Sequence, residues 1–181
     1  MKKKIGLLLA CLIMSINVNA AVINFGPVSA GGSGPDISIN NLVTPTATTS
    51  DATMTLNLNG DFNSSSEYVD ISIDGFSLGR VFDNVTTNDA FNFSGDSGNQ
   101  ATSTLTGTAI ISQAVFAGLI SDGFLNLFFA TSPNVDCCGV VKHLSGTITF
   151  NEVSAVPLPA ALFMFAPALL GLMGLRRKFK A

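Results

Sequence analysis

Tryptophan is absent from these 181 residues, tyrosine and histidine occur once each, and cysteine three times. With His143 the single histidine, a multi-histidine metal centre is excluded. No Gly-x-Ser-x-Gly elbow supplies it with a serine nucleophile. His143 lies in the strand-like stretch VKHLSGT and reads as an exposed or satisfied strand residue, because a histidine acts as a base only beside a positioned partner. Basic residues are scarce in the body of the chain. Of nine, three are Lys2, Lys3 and Lys4 and four are Arg176, Arg177, Lys178 and Lys180, which leaves Arg80 and Lys142 between them. All twelve acidic residues fall within residues 21–155, so two positive against twelve negative side chains give that segment a net charge of about −10. It has no basic patch to neutralise phosphates, which excludes nucleic acid as a partner, and its charge favours solubility. Paired carboxylates fare no better. Asp70 and Asp74 share a strand face about 13 Å apart, beyond the roughly 5–10 Å that glycoside hydrolysis uses. No catalytic residue and no cofactor is assigned, and the chain is read as a non-enzyme.

Long uncharged runs are confined to the two ends. Residues 1–20 have the order of a secretory signal peptide: Lys2, Lys3 and Lys4, an apolar stretch over 5–16, then Val18-Asn19-Ala20, with cleavage by signal peptidase between Ala20 and Ala21. Leu8-Leu9-Ala10-Cys11 resembles a lipobox. It comes only about six residues after Lys4, and the apolar run continues past it, so ordinary cleavage is the stronger reading. The other end, residues 156–181, has three parts. Val156, Pro157, Leu158, Pro159 and Ala160 form a proline-bracketed turn, residues 160–175 an uncharged apolar run, and Arg176, Arg177, Lys178 and Lys180 a basic end. Counted from Val156, the run reaches about 20 residues, or roughly 30 Å of helix, enough to cross a hydrocarbon core. Pro167 kinks it, which a membrane helix tolerates. The basic end marks the cytoplasmic side and stops transfer.

This tail resembles the PEP-CTERM group of sorting signals, and most closely its VPLPA-CTERM variant, in which Leu158 stands where the commoner form has Glu. The resemblance covers about one seventh of the chain. It implies that an exosortase, a multi-pass membrane cysteine protease or transpeptidase, reads the proline motif and removes the helix. It further implies delivery to the cell surface or extracellular matrix of a Gram-negative bacterium and association with exopolysaccharide or biofilm. A plain single-pass inner-membrane anchor, never cut and holding a periplasmic body, is the simpler alternative for the same tail.

Between the ends lies one domain's length of chain, rich in Thr, Ser, Asn, Gly and branched aliphatics. Residues 52–60 alternate strictly, with Met54, Leu56 and Leu58 on one face, and residues 67–74 do so with Val69, Ile71 and Ile73. Asp74-Gly75 predicts a hairpin turn into 76–82. Further strands are expected at 36–43, 90–94, 101–112, 124–131 and 140–151, a short helix over 113–120 after Ser112 as N-cap, and a loop over 26–35. The expectation is an all-β, antiparallel sandwich or jelly-roll-like domain over 21–151 with one short helix. A spacer at 152–155 and the sorting signal at 156–181 follow it, and the signal helix precedes it.

Two motifs in the body invite chemistry. Asp61, Asn63, Ser65 and Glu67 place oxygen atoms at alternate positions of a loop, a weak candidate for structural calcium; the spacing departs from an EF-hand, and a solvated turn is the better reading. Cys137 and Cys138 are the cysteines left after signal cleavage. Neighbouring Cα atoms stand about 3.8 Å apart, below the usual disulfide range, so a vicinal ring, bonds to another chain and two free thiols all stay open, with the ring favoured by Pro133 and Gly139 nearby. No Cys-x-x-Cys spacing supports a redox catalyst or thiol-metal site. Two other classes remain: a surface carbohydrate-binding module, which wants aromatic platforms, and a secreted hydrolase, which needs acidic residues converging from distant strands.

Overall fold

In the computed structural model the alternating segments pair as two antiparallel sheets, and residues 18–93, 99–100 and 103–153 are described. The elements are β1 (Val18–Ala30), β2 (Asp36–Val43), β3 (Ala52–Phe62), β4 (Val69–Ile73), β5 (Phe76–Val81), β6 (Asn99–Gln100), β7 (Leu105–Ile111), α1 (Gln113–Leu119), β8 (Phe124–Thr131) and β9 (Val141–Val153). One sheet has the order β1-β9-β3 and continues to both β7 and the short β6; the other runs β2-β8-β4-β5. Their inner faces share one hydrophobic core, and Phe25 of β1 meets Phe129 of β8 across it at 6.4 Å between ring centroids. The body is an all-β sandwich. Val18–Val153 form one compact unit; Val18, Asn19 and Ala20, expected as the end of the signal segment, are strand in β1, and the rest of that segment and the expected membrane helix lie outside the described residues.

The period-two pattern explains the core. On β3, Ala52, Met54, Leu56 and Leu58 are buried while Thr53, Thr55, Asn57 and Asn59 stay half-buried, the alternation a sheet with one apolar face requires. Leu56 lies opposite Gly146 of β9 on one side and Gly107 of β7 on the other. The two glycines make room for rings: Phe25 packs over Gly146 and Phe93 over Gly107. Phe93 continues into a run with Phe91 and Phe82, and Phe82 stacks on Phe62 at 5.0 Å.

Several boundaries differ from the sequence expectation. Residues 26–30, expected in a loop, extend β1 as far as Ala30. Gly26 precedes a cis proline there, and register shifts after Phe25 and Val28 hide the strand from a periodicity reading. β9 runs on to Val153, where Val18 is its partner, so strand covers 152 and 153, expected as spacer. Residues 90–93 make no continuous strand: Phe91 forms a single bridge to Ala109, the Asn92 N–H donates to the Thr108 carbonyl at 3.0 Å, and the Asn92 side-chain oxygen accepts the Thr108 N–H and hydroxyl. Ser112 occupies the N-cap of α1 but makes no side-chain cap bond; Asp51 accepts the Gln113 N–H instead, at 2.7 Å. The Asp74-Gly75 hairpin has both central residues at positive φ, as a type I′ turn needs.

Candidate functional site

The residue types that carry chemistry gather where β3 ends beneath the β8–β9 loop, residues 132–140. Strict alternation puts Asp61 on the polar face with Asn57 and Asn59, yet its side chain is only 1% exposed. The loop covers it. Asp61 N–H donates to the Val140 carbonyl at 2.8 Å, and its Oδ2 accepts the Cys137 N–H at 2.9 Å. Its Oδ1 accepts from Asn63 Nδ2 at 2.9 Å. A register shift between Asn59 and Gly60 accompanies the change, because β9 carries one extra residue, Lys142, at this point; such bulges end regular pairing and re-aim side chains.

The loop is tied to the body at both ends. Val135 is fully buried, Ser132 Oγ–H donates to the Ser66 carbonyl at 2.6 Å, and Val135 O accepts the Gly34 N–H. The tip turns tightly, with Val140 N–H donating to Cys137 O, and Cys138, Gly139 and Val140 all hold positive φ. For a β-branched residue such as Val140 that is a rare conformation. Within this tip Cys137 and Cys138 are joined as a vicinal disulfide, with both side chains exposed. One carboxylate oxygen of Asp61 and the two sulfurs lie within 4.8 Å of one another.

The other oxygen residues proposed for calcium are not aimed at one point. Glu67 Oε2 accepts the backbone N–H groups of Asn63 and Ser64 at 2.7 and 2.9 Å, so its carboxylate caps the turn it belongs to. Asp61 faces the cysteine loop, and Ser65 is exposed. His143 Nε2 is hydrogen-bonded to Ser145 Oγ at 2.7 Å. Asp70 and Asp74 go to different partners: Asp70 grips Arg80 through both carboxylate oxygens at 2.9 Å, and Asp74 accepts from the backbone and side chain of Asn126. The hydrogen bonds that Arg80 donates to Asp70 are the main reason its guanidinium is held above its ordinary pKa. Arg80 also lies 3.6 Å over the Tyr68 ring, covering the chain's single tyrosine.

Ala20 and Ala21, flanking the expected cut, sit in β1 opposite Asn151 and Phe150. The sorting motif, Val156 to Ala160 by number 156–160, and the basic end at Arg176, Arg177, Lys178 and Lys180 lie outside the described residues. Among the described residues no helix is long and apolar enough to cross a membrane.

The sequence reading missed the partnership of Asp61 with the cysteines, which spans 76 positions of chain. No local signal announces it. The fold and this site define the class as an all-β sandwich carrying a disulfide-tipped loop over a buried carboxylate. No family model matches the chain, and neither a curated protein nor a solved structure matches it.

Proposed function

We propose that this chain is an exported cell-surface or extracellular-matrix protein of a Gram-negative bacterium, delivered by a tail that an exosortase removes. One observation carries the reading: the order VPLPA, uncharged apolar run, basic end, all at residues 156–181 and preceded by a signal-peptide pattern at 1–20. Signal peptidase and exosortase are its processing partners, the inner membrane its transient anchor, and exopolysaccharide its expected surroundings. The strongly acidic body suits an extracellular, soluble role. The role assigned to it is structural, within a biofilm or polysaccharide matrix, and not catalytic. Replacing both prolines, Pro157→Ala with Pro159→Ala, tests the reading in a host that carries the enzyme. The variant should stay in the inner-membrane fraction while the parent leaves it; release of both in equal amounts refutes exosortase processing.

A carbohydrate-binding role for the same body gains one observation. Phe124 and Phe128 are 44% and 41% exposed on one face of β8, about 13 Å apart along the strand, with the Asn126–Asp74 pair between them in sequence register. Exposed rings flanking polar groups suit stacking on sugars. Polysaccharide pull-down of the parent and of a Phe124→Ala, Phe128→Ala variant decides it: equal retention of the two removes this reading.

A further inference from the structure

We propose that Cys137 and Cys138, once reduced, form with Asp61 a three-ligand site for a thiophilic divalent cation such as Zn2+, a site that the disulfide keeps closed. Buried carboxylates are paired or coordinate metals, and the Cys137 N–H and the Asn63 amide, which donate to Asp61, are neutral. Each carboxylate oxygen keeps a second lone pair. The Cys137 N–H fixes the carboxylate's orientation, the part an outer-shell hydrogen bond plays at a metal centre. Two thiolates beside one carboxylate select zinc-like ions over calcium or magnesium, which prefer oxygen alone.

The distances suit the step. Tetrahedral zinc, with bonds of ~2.3 Å to sulfur and ~2.1 Å to oxygen, spaces its ligand atoms about 3.6–3.8 Å apart. The oxygen and both sulfurs already lie within 4.8 Å of one another. Breaking the S–S bond lets the sulfurs separate while the exposed loop tip closes on Asp61, a movement of about 1 Å by that comparison. Water supplies the fourth position. Reduction needs two electrons: a dithiol reductant delivers them and leaves as its own disulfide, and the two cysteine thiols lose their protons to solvent as the cation binds. The exposure of both cysteines gives reductant and metal access; a disulfide oxidant, which takes up the two electrons and leaves as its dithiol, re-forms the Cys137–Cys138 bond and expels the cation.

The test is a Co2+ titration of the full chain purified in detergent, before and after reduction with a phosphine, which becomes its oxide by taking oxygen from water. The reduced chain should bind one Co2+ with a thiolate-to-cobalt charge-transfer band that Zn2+ displaces, and the oxidised chain should show none. Cys138→Ala should lose the band, and Asp61→Asn should weaken binding about tenfold or more. No band above that of the oxidised chain, or an unchanged band in reduced Cys138→Ala, overturns the proposal, as does parental affinity in Asp61→Asn. Should Asp61→Asn lose its β-sheet circular dichroism, the comparison with Cys138→Ala, altered at an exposed position, decides alone.

Discussion

Gly146→Ala is the substitution that the packing forbids most plainly. Gly146 is buried in β9 between Phe25 of β1 and Leu56 of β3. A Cβ added there overlaps both the Thr55 carbonyl oxygen and Cζ of the Phe25 ring. The oxygen belongs to the backbone of a strand paired on both sides, and Phe25 is itself wedged against Phe129, so neither neighbour yields easily. Overpacking costs about 1–3 kcal/mol; with a backbone atom as the obstacle, the expected loss is near the top, about 3 kcal/mol. For a domain of this size that lowers Tm by about 10 °C. Urea unfolding followed by circular dichroism should show a lower midpoint at unchanged slope. Gly31→Ala, where a Cβ meets nothing within 4 Å, should stay within about 0.5 kcal/mol of the parent. Phe25→Ala combined with Gly146→Ala should cost less than the sum of the two, because removing the ring relieves one of the two clashes. A Gly146→Ala protein as stable as Gly31→Ala refutes the ring-over-glycine account of this row.

Arg80→Ala removes both the Asp70 pair and the contact with Tyr68. The Arg80 and Asp70 side chains are 38% and 47% exposed, so solvent screening limits the loss to about 1 kcal/mol, smaller at high salt. Chemical denaturation at two salt concentrations checks it, and a salt-independent loss contradicts an electrostatic origin. Glu67→Ala should cost about 1–2 kcal/mol by freeing the Asn63 and Ser64 amides, and Glu67→Gln, which keeps an acceptor, should cost less. Calcium should leave the melting temperature of the full chain unchanged. A site in the 61–67 loop held at a hundred times its Kd would add ~2.7 kcal/mol, and a rise of that size would restore the calcium reading.

Strands whose two faces differ in polarity were legible. β3, β4 and β8 lie where Met54-Leu56-Leu58, Val69-Ile71-Ile73 and Leu125-Leu127-Phe129 place them, and α1 follows from Phe116 and Ile120 at helical spacing. β1 was not, because two register shifts, after Phe25 and after Val28, break its period. Phe91 and Asn92 fall within the strand expected at 90–94, but only one bridge forms there: the Asn92 N–H keeps its backbone bond to Thr108 O, while the Asn92 side-chain oxygen accepts the Thr108 N–H in return. Asp61 illustrates the general limit. Its local sequence gives a turn rich in oxygen ligands, whereas its burial and its hydrogen bond to Cys137 arise from a loop 76 positions away.

The central claim concerns the fate of the tail, and intact mass tests it most directly. The chain is expressed in a host with a matching exosortase and in the same host lacking it, and the body is recovered from each and weighed. The account predicts a product missing the residues that follow the proline motif, found only where the enzyme is present, with its N-terminus at Ala21. A tail still attached in both hosts, with the protein in the inner membrane of each, contradicts exosortase sorting and leaves a single-pass anchor.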